Sequence, residues 1–174
     1  MIRVAIGDLS LQEVEGLLRP IRDDLTPTTG AGRDLATRAG EAMDDRLSRM
    51  GTLPVGGAFI TPGGLLPSAF VIHIVVSSPE ESETSATVQR ALQNGLRRAA
   101  EWGLTSLALP PLGFGVGMVQ PEEAAKGLVG VLVDHLDAGE PPLELTIVVS
   151  NEYEEGIFTQ AVESLTHDRF PMRS

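Results

Sequence analysis

The sequence predicts an α/β domain built on a largely parallel or mixed sheet with helices on both faces. Three observations carry this. Strand-like and helix-like segments alternate along the whole chain. The later strands are apolar nearly throughout, as in A-F-V-I-H-I-V-V over residues 69–76, which marks strands covered on both faces. The helical segments repeat apolar residues at spacings of three and four and stop at glycine.

Each element follows from its local pattern. Ile2–Ile6 alternates apolar and polar residues and ends at Gly7-Asp8, a strand followed by a turn. Residues 14–18 form a short apolar run, a second strand. Residues 26–32, T-P-T-T-G-A-G, read as a turn-rich loop. Ala36, Ala39, Met43, Leu47 and Met50 then recur at helical spacing and mark one amphipathic helix closed by Gly51. Residues 58–61 and 69–76 are two strands joined through P-G-G-L-L-P. A polar loop covers 77–85. Val88, Leu92, Leu96, Ala99 and Trp102 mark a helix stopped at Gly103, and 104–109 is a buried strand. Ala125, Leu128, Val129, Leu132 and Leu136 make the next helix, with Pro121, Glu122 and Glu123 suited to its first turn. Residues 143–149 are a strand. Ile157, Phe158, Ala161, Val162 and Leu165 make the last helix. The expected organisation is one domain over 1–166 and a C-terminal tail over 167–174, with Trp102 and the methionines in the core.

Composition bounds the function. A chain of 174 residues is long enough to bury about 70% of its unfolded surface in one domain. It has no cysteine, which excludes disulfides, thiolate nucleophiles and Cys-ligated metals. Its three histidines, His73, His135 and His167, show no metal-binding spacing. No cofactor or metal is called for. No apolar run approaches the ~20 residues that span a bilayer, and the N-terminus does not read as a signal peptide. A cytoplasmic protein without a membrane partner is expected. The formal net charge of -11 argues against binding to free nucleic acid, whose affinity comes largely from phosphate neutralisation. It also repels small anions at long range, so a phosphate site here relies on local backbone dipoles and a few arginines.

One segment suggests a ligand. Residues 107–123 read L-A-L-P-P-L-G-F-G-V-G-M-V-Q-P-E-E. An apolar strand runs into a loop with Gly113, Gly115 and Gly117, and then into a helix. Alternate glycines let the backbone approach a ligand and turn several N–H groups toward one point, a concavity suited to phosphate. In an open α/β sheet such a loop lies beyond the strand C-termini, where ligands bind.

Several segments together resemble the macrodomain, the ADP-ribose-binding α/β family. R-V-A-I-G-D-L over 3–9 is similar to its first strand and turn. Residues 55–76, with V-G-G-A-F-I-T-P-G-G-L-L-P over 55–67 and V-I-H at 71–73, are similar to the family's stretch V-G-x-A-x-I-T-P-G-x-x-L-P-x-x-x-V-I-H. L-P-P-L-G-F-G-V-G over 109–117 resembles its second ligand loop, and Gly30-Ala31-Gly32 its first. The resemblance covers nearly the whole chain. It implies a three-layer α/β/α sandwich around a central mixed sheet of about six strands. It also implies a cleft for ADP-ribose or a related nucleotide diphosphate, with an ADP-ribosylated macromolecule as a further partner class.

By that resemblance, Asp8 accepts the adenine amino group, with Leu9 beside it. Gly113, Phe114, Gly115, Val116 and Gly117 wrap the diphosphate. Gly30, Ala31 and Gly32 approach the phosphates and the distal ribose from the other side. Ser150 and Asn151 lie where the family often stacks an aromatic ring on adenine, and neither supplies that stacking. The family's N-A-A-N segment is missing. Arg19-Pro20-Ile21-Arg22 stands in its place, just after the second strand. An arginine is a charged donor only and cannot copy an asparagine's paired donor and acceptor. Phe114 replaces a small hydroxyl residue and either narrows the cleft or caps a ribose.

Each residue has a plainer reading beside the functional one. Asp8 serves equally as a turn or cap residue. Arg19, Arg22, Asp23 and Asp24 read as a local ion-pair network or as ligand contacts. Asp23 and Asp24 are weak candidates for a general base that activates water. His73 reads as a core histidine bonded to backbone. Three functions remain: a module that binds ADP-ribose, which the sequence favours; a hydrolase of ADP-ribose linkages or a deacetylase of O-acetyl-ADP-ribose; and an interaction domain whose cleft is filled by Arg19, Arg22 and Phe114.

Overall fold

The structure, a computed structural model, describes residues 1–114 and 119–167. Six strands form one sheet: β1 (Ile2–Ile6), β2 (Gly16–Arg22), β3 (Ala58–Pro62), β4 (Phe70–Ser77), β5 (Ser106–Leu109) and β6 (Glu144–Val149). Their spatial order is β1-β6-β5-β2-β4-β3. All neighbouring pairs are parallel except the edge pair β3–β4. Five helices flank the sheet: α1 (Gly30–Ala39), α2 (Glu41–Ser48), α3 (Ser85–Glu101), α4 (Pro121–Asp137) and α5 (Glu152–His167). This is the three-layer mixed α/β/α arrangement that the sequence predicts.

Strand alternation divides the core by face. Leu18, Ile72, Ile74, Leu107, Leu109 and Ile147 pack with residues of α3, α4 and α5 in one cluster. Leu17, Ile21, Val71 and Val75 point the other way, onto Leu35, Met43 and Leu47 of α1 and α2. α3 lies very close to β4. A Cβ added at Gly95 would stand 2.7 Å from Ile74 Cγ2, so the helix keeps a glycine there.

Several boundaries differ from the sequence reading. The second strand runs to Arg22 rather than ending at residue 18, so Arg19, Pro20 and Ile21 lie within it. A proline is tolerated here because β2 pairs with β5 only at Gly16 and Leu17. Beyond that point the side of β2 away from β4 needs no N–H for a ladder. The returning chain covers that side instead: Thr28 N donates to Pro20 O, and Arg22 N to Thr26 O. The expected single helix is two, broken at Gly40, whose φ of 96° no α-helix accommodates. Leu65 N caps the end of α1 by donating to Ala39 O. Gly30, Ala31 and Gly32 are the first turn of α1 rather than a loop before it. Trp102 is not core. It ends α3 at 57% exposure, edge-on to Phe70. Met1 and Met50 are exposed as well, whereas Met43 is buried. α5 continues through His167, the first residue of the expected tail. Among the described residues no helix is long and apolar enough to cross a membrane.

Candidate functional site

The five parallel strands end at one edge of the sheet, and the loops leaving that edge carry most of the candidate residues. Gly7 N donates to Val149 O, which holds the exit of β1 against the exit of β6. Asp8 follows directly and caps the 3₁₀ turn Leu9–Leu11. Its Oδ1 accepts from Ser10 N at 2.9 Å and from Ser10 Oγ at 2.7 Å. Its Oδ2 lies 3.3 Å from Arg38 Nη2, in the last turn of α1. These hydrogen bonds, chiefly that of the Ser10 hydroxyl, hold the carboxyl below the usual carboxylate range. Asp8 is therefore ionised at neutral pH and acts as an acceptor. Three of its roughly four lone-pair directions are already engaged. Leu9 is buried in the core beneath the turn.

The first turn of α1 is the second part of the site. Thr29 is its N-cap, with Oγ1 accepting from Gly32 N at 3.0 Å. A Thr immediately before the helix is a legible cap signal. A Cβ at Gly30 would meet nothing within 4 Å, so this helix start opens on free space. Gly30 and Arg38 are separated by about 12 Å of helix rise. After β5, Gly113 takes φ 73°, the left-handed region that glycine favours. Phe114 then turns inward, its ring 5.4 Å from that of Phe158 and packed on the core. Gly115, Val116 and Gly117 lie outside the described residues. After β6, Ser150 is exposed, and Asn151 is used as a cap, its Oδ1 accepting from Glu154 N.

The arginine segment is arranged differently from the expected ion-pair network. None of the salt bridges among the described residues involves Arg19, Arg22, Asp23 or Asp24. Arg22 is exposed and donates from Nη1 to Pro27 O and Thr26 Oγ1, which pins the loop after β2. Asp24 Oδ1 accepts from Thr26 N and Thr26 Oγ1, and these bonds hold its carboxyl below the usual range. Asp23 lies on the wall of one cavity, with Leu53, Pro54 and Glu80, and Asp24 on that of another, with Arg19 and Arg33. The two aspartates are thus neighbours in sequence that face different spaces.

Arg19 is only 2% exposed. It faces α1 and donates from Nε to Gly32 O at 3.1 Å. Its Nη1 lies 3.3 Å from His73 Nδ1, and His73 Nε2 lies 2.9 Å from Thr61 Oγ1. An arginine has no lone pair to offer. His73 Nδ1 must therefore accept, and the ring proton sits on Nε2, directed at Thr61. The partners of His73 are side chains, not the backbone expected from sequence. Burial, reinforced by the Arg19 charge, drives the His73 pKa well below its ordinary value. Burial also pulls Arg19 down to about 10, against the opposing pull of the Asp44 carboxylate, so it stays charged at neutral pH. Sequence reasoning missed Arg38, Ser10 and Thr61 as partners. Arg38 and Thr61 act across elements, where spacing along the chain is silent, whereas Ser10 is a local partner two residues from Asp8.

Comparison with known proteins places this architecture. The Macro domain family matches residues 22–128. An uncharacterized protein of Aeropyrum pernix is 32% identical over 72% of this chain and 67% of its own length. The mouse ADP-ribose glycohydrolase MACROD1 is 28% identical over 88% of this chain and 49% of its own length. Among solved structures, the Oceanobacillus iheyensis macrodomain with ADP superposes with a TM-score of 0.78 at 23% identity, covering 95% of this chain and 91% of that one. The Trypanosoma brucei macrodomain in complex with ADP superposes at 0.80 and 17% identity, covering 92% and 68%. With the matched segment, the sheet order and these relatives in agreement, the chain belongs to the Macro domain family.

Proposed function

We propose that the protein binds ADP-ribose, or a closely related nucleotide diphosphate, in the crevice where the parallel strands end. The adenine amino group donates to Asp8. The diphosphate lies between the first turn of α1, at Gly30, Ala31 and Gly32, and the loop that begins at Gly113 and Phe114 and continues through Gly115, Val116 and Gly117. Ser150 offers a hydroxyl at the adenine end, with Leu9 and Asn151 as neighbours there. A free ADP-ribose or an ADP-ribosylated macromolecule is the partner this chemistry suits.

The observation that carries the reading is family membership, joined to the open N-terminus of α1. Backbone N–H groups at a helix start favour phosphate, and a relative of this fold is named for its ADP complex. The interaction-domain alternative needs Arg19, Arg22 and Phe114 to fill the cleft. Their contacts favour binding instead: Phe114 stacks on Phe158, Arg19 is bonded beneath α1, and Arg22 is held by its own loop.

Hydrolysis of an ADP-ribose linkage is the second reading. The likeness to a mouse ADP-ribose glycohydrolase favours it. Asp24 is a poor base for it, since Thr26 already holds Oδ1 and depresses its basicity. Turnover that survives both Asp23→Ala and Asp24→Ala would remove these residues from any mechanism.

Equilibrium binding of ADP-ribose and of its hypoxanthine analogue tests the adenine contact. The analogue lacks the amino donor and is expected to bind about tenfold more weakly, the scale of one hydrogen bond to a charged acceptor. In Asp8→Ala the two ligands should bind alike. Equal affinities in the unmodified protein would overturn the Asp8 assignment.

A further inference from the structure

On the α1–α2 side of the sheet, α1, α2 and the loop after β2 line a cavity of about 350 Å³. Arg19 lies on its floor and Arg33 on its wall, with Asp24 and Asp44, and the apolar surface comes from Leu25, Pro27, Ala36 and Leu47. None of Asp8, Gly30, Gly113, Phe114, Ser150 or Asn151 lines it. Its lining shares no residue with the crevice proposed for the nucleotide, although Arg19 bonds to Gly32 O at the start of α1, and it does not rest on that reading.

The guanidinium of Arg19 is the unusual feature. A buried charge is normally paired, because taking it out of water unpaired costs several kcal/mol. Arg19 is 2% exposed and forms no ion pair among the described residues. Only Nε and Nη1 are engaged, with Gly32 O and His73. Nη2 makes no hydrogen bond among the described residues. Yet among the described residues no sealed side-chain nitrogen or oxygen lacks a partner. Nη2 is therefore not sealed, and Arg19 is among the residues that line this cavity.

The walls restrict what can complete the pair. The hydroxyls are already committed: Thr26 donates to Asp24, Thr37 to Arg33 O and Ser48 to Asp45 O. Only the two arginines remain as donors. Two arginines against two aspartates leave the lining without net charge, so the pull on a single carboxylate comes locally from the unpaired Arg19 guanidinium, while a second negative charge meets Asp24 and Asp44. The apolar patch suits a short hydrocarbon tail.

We infer that this cavity is a binding site for a small organic monocarboxylate, whose carboxylate takes the free donors of Arg19 and whose tail packs on Leu25, Pro27, Ala36 and Leu47. Arg33 assists from the wall, and Asp44 sets the limit on charge.

Amide chemical-shift titration of the full chain tests this, with butyrate as probe and inorganic phosphate as comparator. Millimolar butyrate should shift amides of residues 24–27, 33–37 and 44–48 saturably and leave residues 7–11 unmoved. Asp44→Asn should tighten butyrate about threefold, the scale of removing one partly screened charge. Arg33→Ala should weaken it by a similar factor. Arg19→Met should abolish the shifts. If that variant fails to fold, the Arg33 and Asp44 variants decide alone, since both positions are exposed. Absence of shifts with butyrate, or shifts unaffected by Arg33→Ala and Asp44→Asn, would overturn the site. Phosphate binding as tightly as butyrate would overturn the assignment to a monocarboxylate.

Discussion

At the scale of single residues, the replacement of the family's asparagine segment is a rebuilt polar chain rather than a simple loss. Arg19 stands opposite His73 in the β2–β4 register. The chain Arg19–His73–Thr61 crosses three strands under α1, and it fixes a neutral histidine in the core. A pH dependence follows. Below about pH 6.5 the unfolded chain takes up a proton at this ring, while the folded chain does not, because its pKa lies well below that value. The unfolded state then binds more protons, so stability falls as pH drops, by up to about 1.4 kcal/mol per pH unit from this group. Urea unfolding between pH 7 and pH 5 should show that slope, and His73→Gln should lack this share of it. Equal slopes in the two proteins would mean that His73 takes up its proton while folded. Sequence alone made His73 a core residue, which holds. Its partners were not legible, because Arg19 and Thr61 reach it through sheet register, and register is set by how whole strands pair. Asp8 was legible as a cap because an aspartate after Gly7 acts on its own backbone.

At the scale of elements, strands and long helices were readable from periodicity, whereas breaks were not. α3, α4 and α5 follow their apolar stripes closely. The α1–α2 break escaped because Ala36, Ala39, Met43 and Leu47 keep helical spacing across Gly40. Its cause is tertiary: Leu65, far along the chain, takes the Ala39 carbonyl and ends α1. The sequence reading ended β2 at residue 18, where the apolar run meets Arg19-Pro20, and a proline in general argues against a central strand. That argument fails where a strand is central by order but unpaired on one side. Two glycines inside helices give a test of opposite signs. Alanine is better than glycine in a helix by about 1 kcal/mol. At Gly130 of α4 an added Cβ meets nothing within 4 Å, so Gly130→Ala should raise stability by about 0.5–1 kcal/mol. At Gly95 of α3 it would stand 2.7 Å from Ile74 Cγ2 in a filled core, and overpacking of this kind costs about 1–3 kcal/mol. Gly95→Ala should therefore lower stability by about 1 kcal/mol net. Thermal or denaturant unfolding of the two variants checks both signs.

At the scale of the whole molecule, an acidic chain carries a crevice suited to an anion. The net charge of -11 opposes approach of a diphosphate, while the contacts proposed for binding are short-range backbone N–H groups and one carboxylate. Salt screens the first and hardly touches the second. Affinity for ADP-ribose should accordingly hold or rise modestly from low salt to about 0.15 M. A steep fall would point to an arginine-dominated site instead. The family was legible from sequence because its segments recur in order on turns and buried strands, each with its own physical reason: the Gly7-Asp8 cap, the apolar β4 and the glycine-bearing exit of β5. The site was legible only in part. Leu9 is buried, Asn151 also caps a helix and the half-buried Phe114 packs against Phe158, and such side-chain directions depend on packing that a linear pattern does not encode. The central claim is that the crevice binds ADP-ribose. Calorimetric titration of the full chain with ADP-ribose tests it most directly. The account predicts a saturable one-site isotherm that Asp8→Ala weakens by about tenfold. No heat of binding at millimolar ADP-ribose would contradict it.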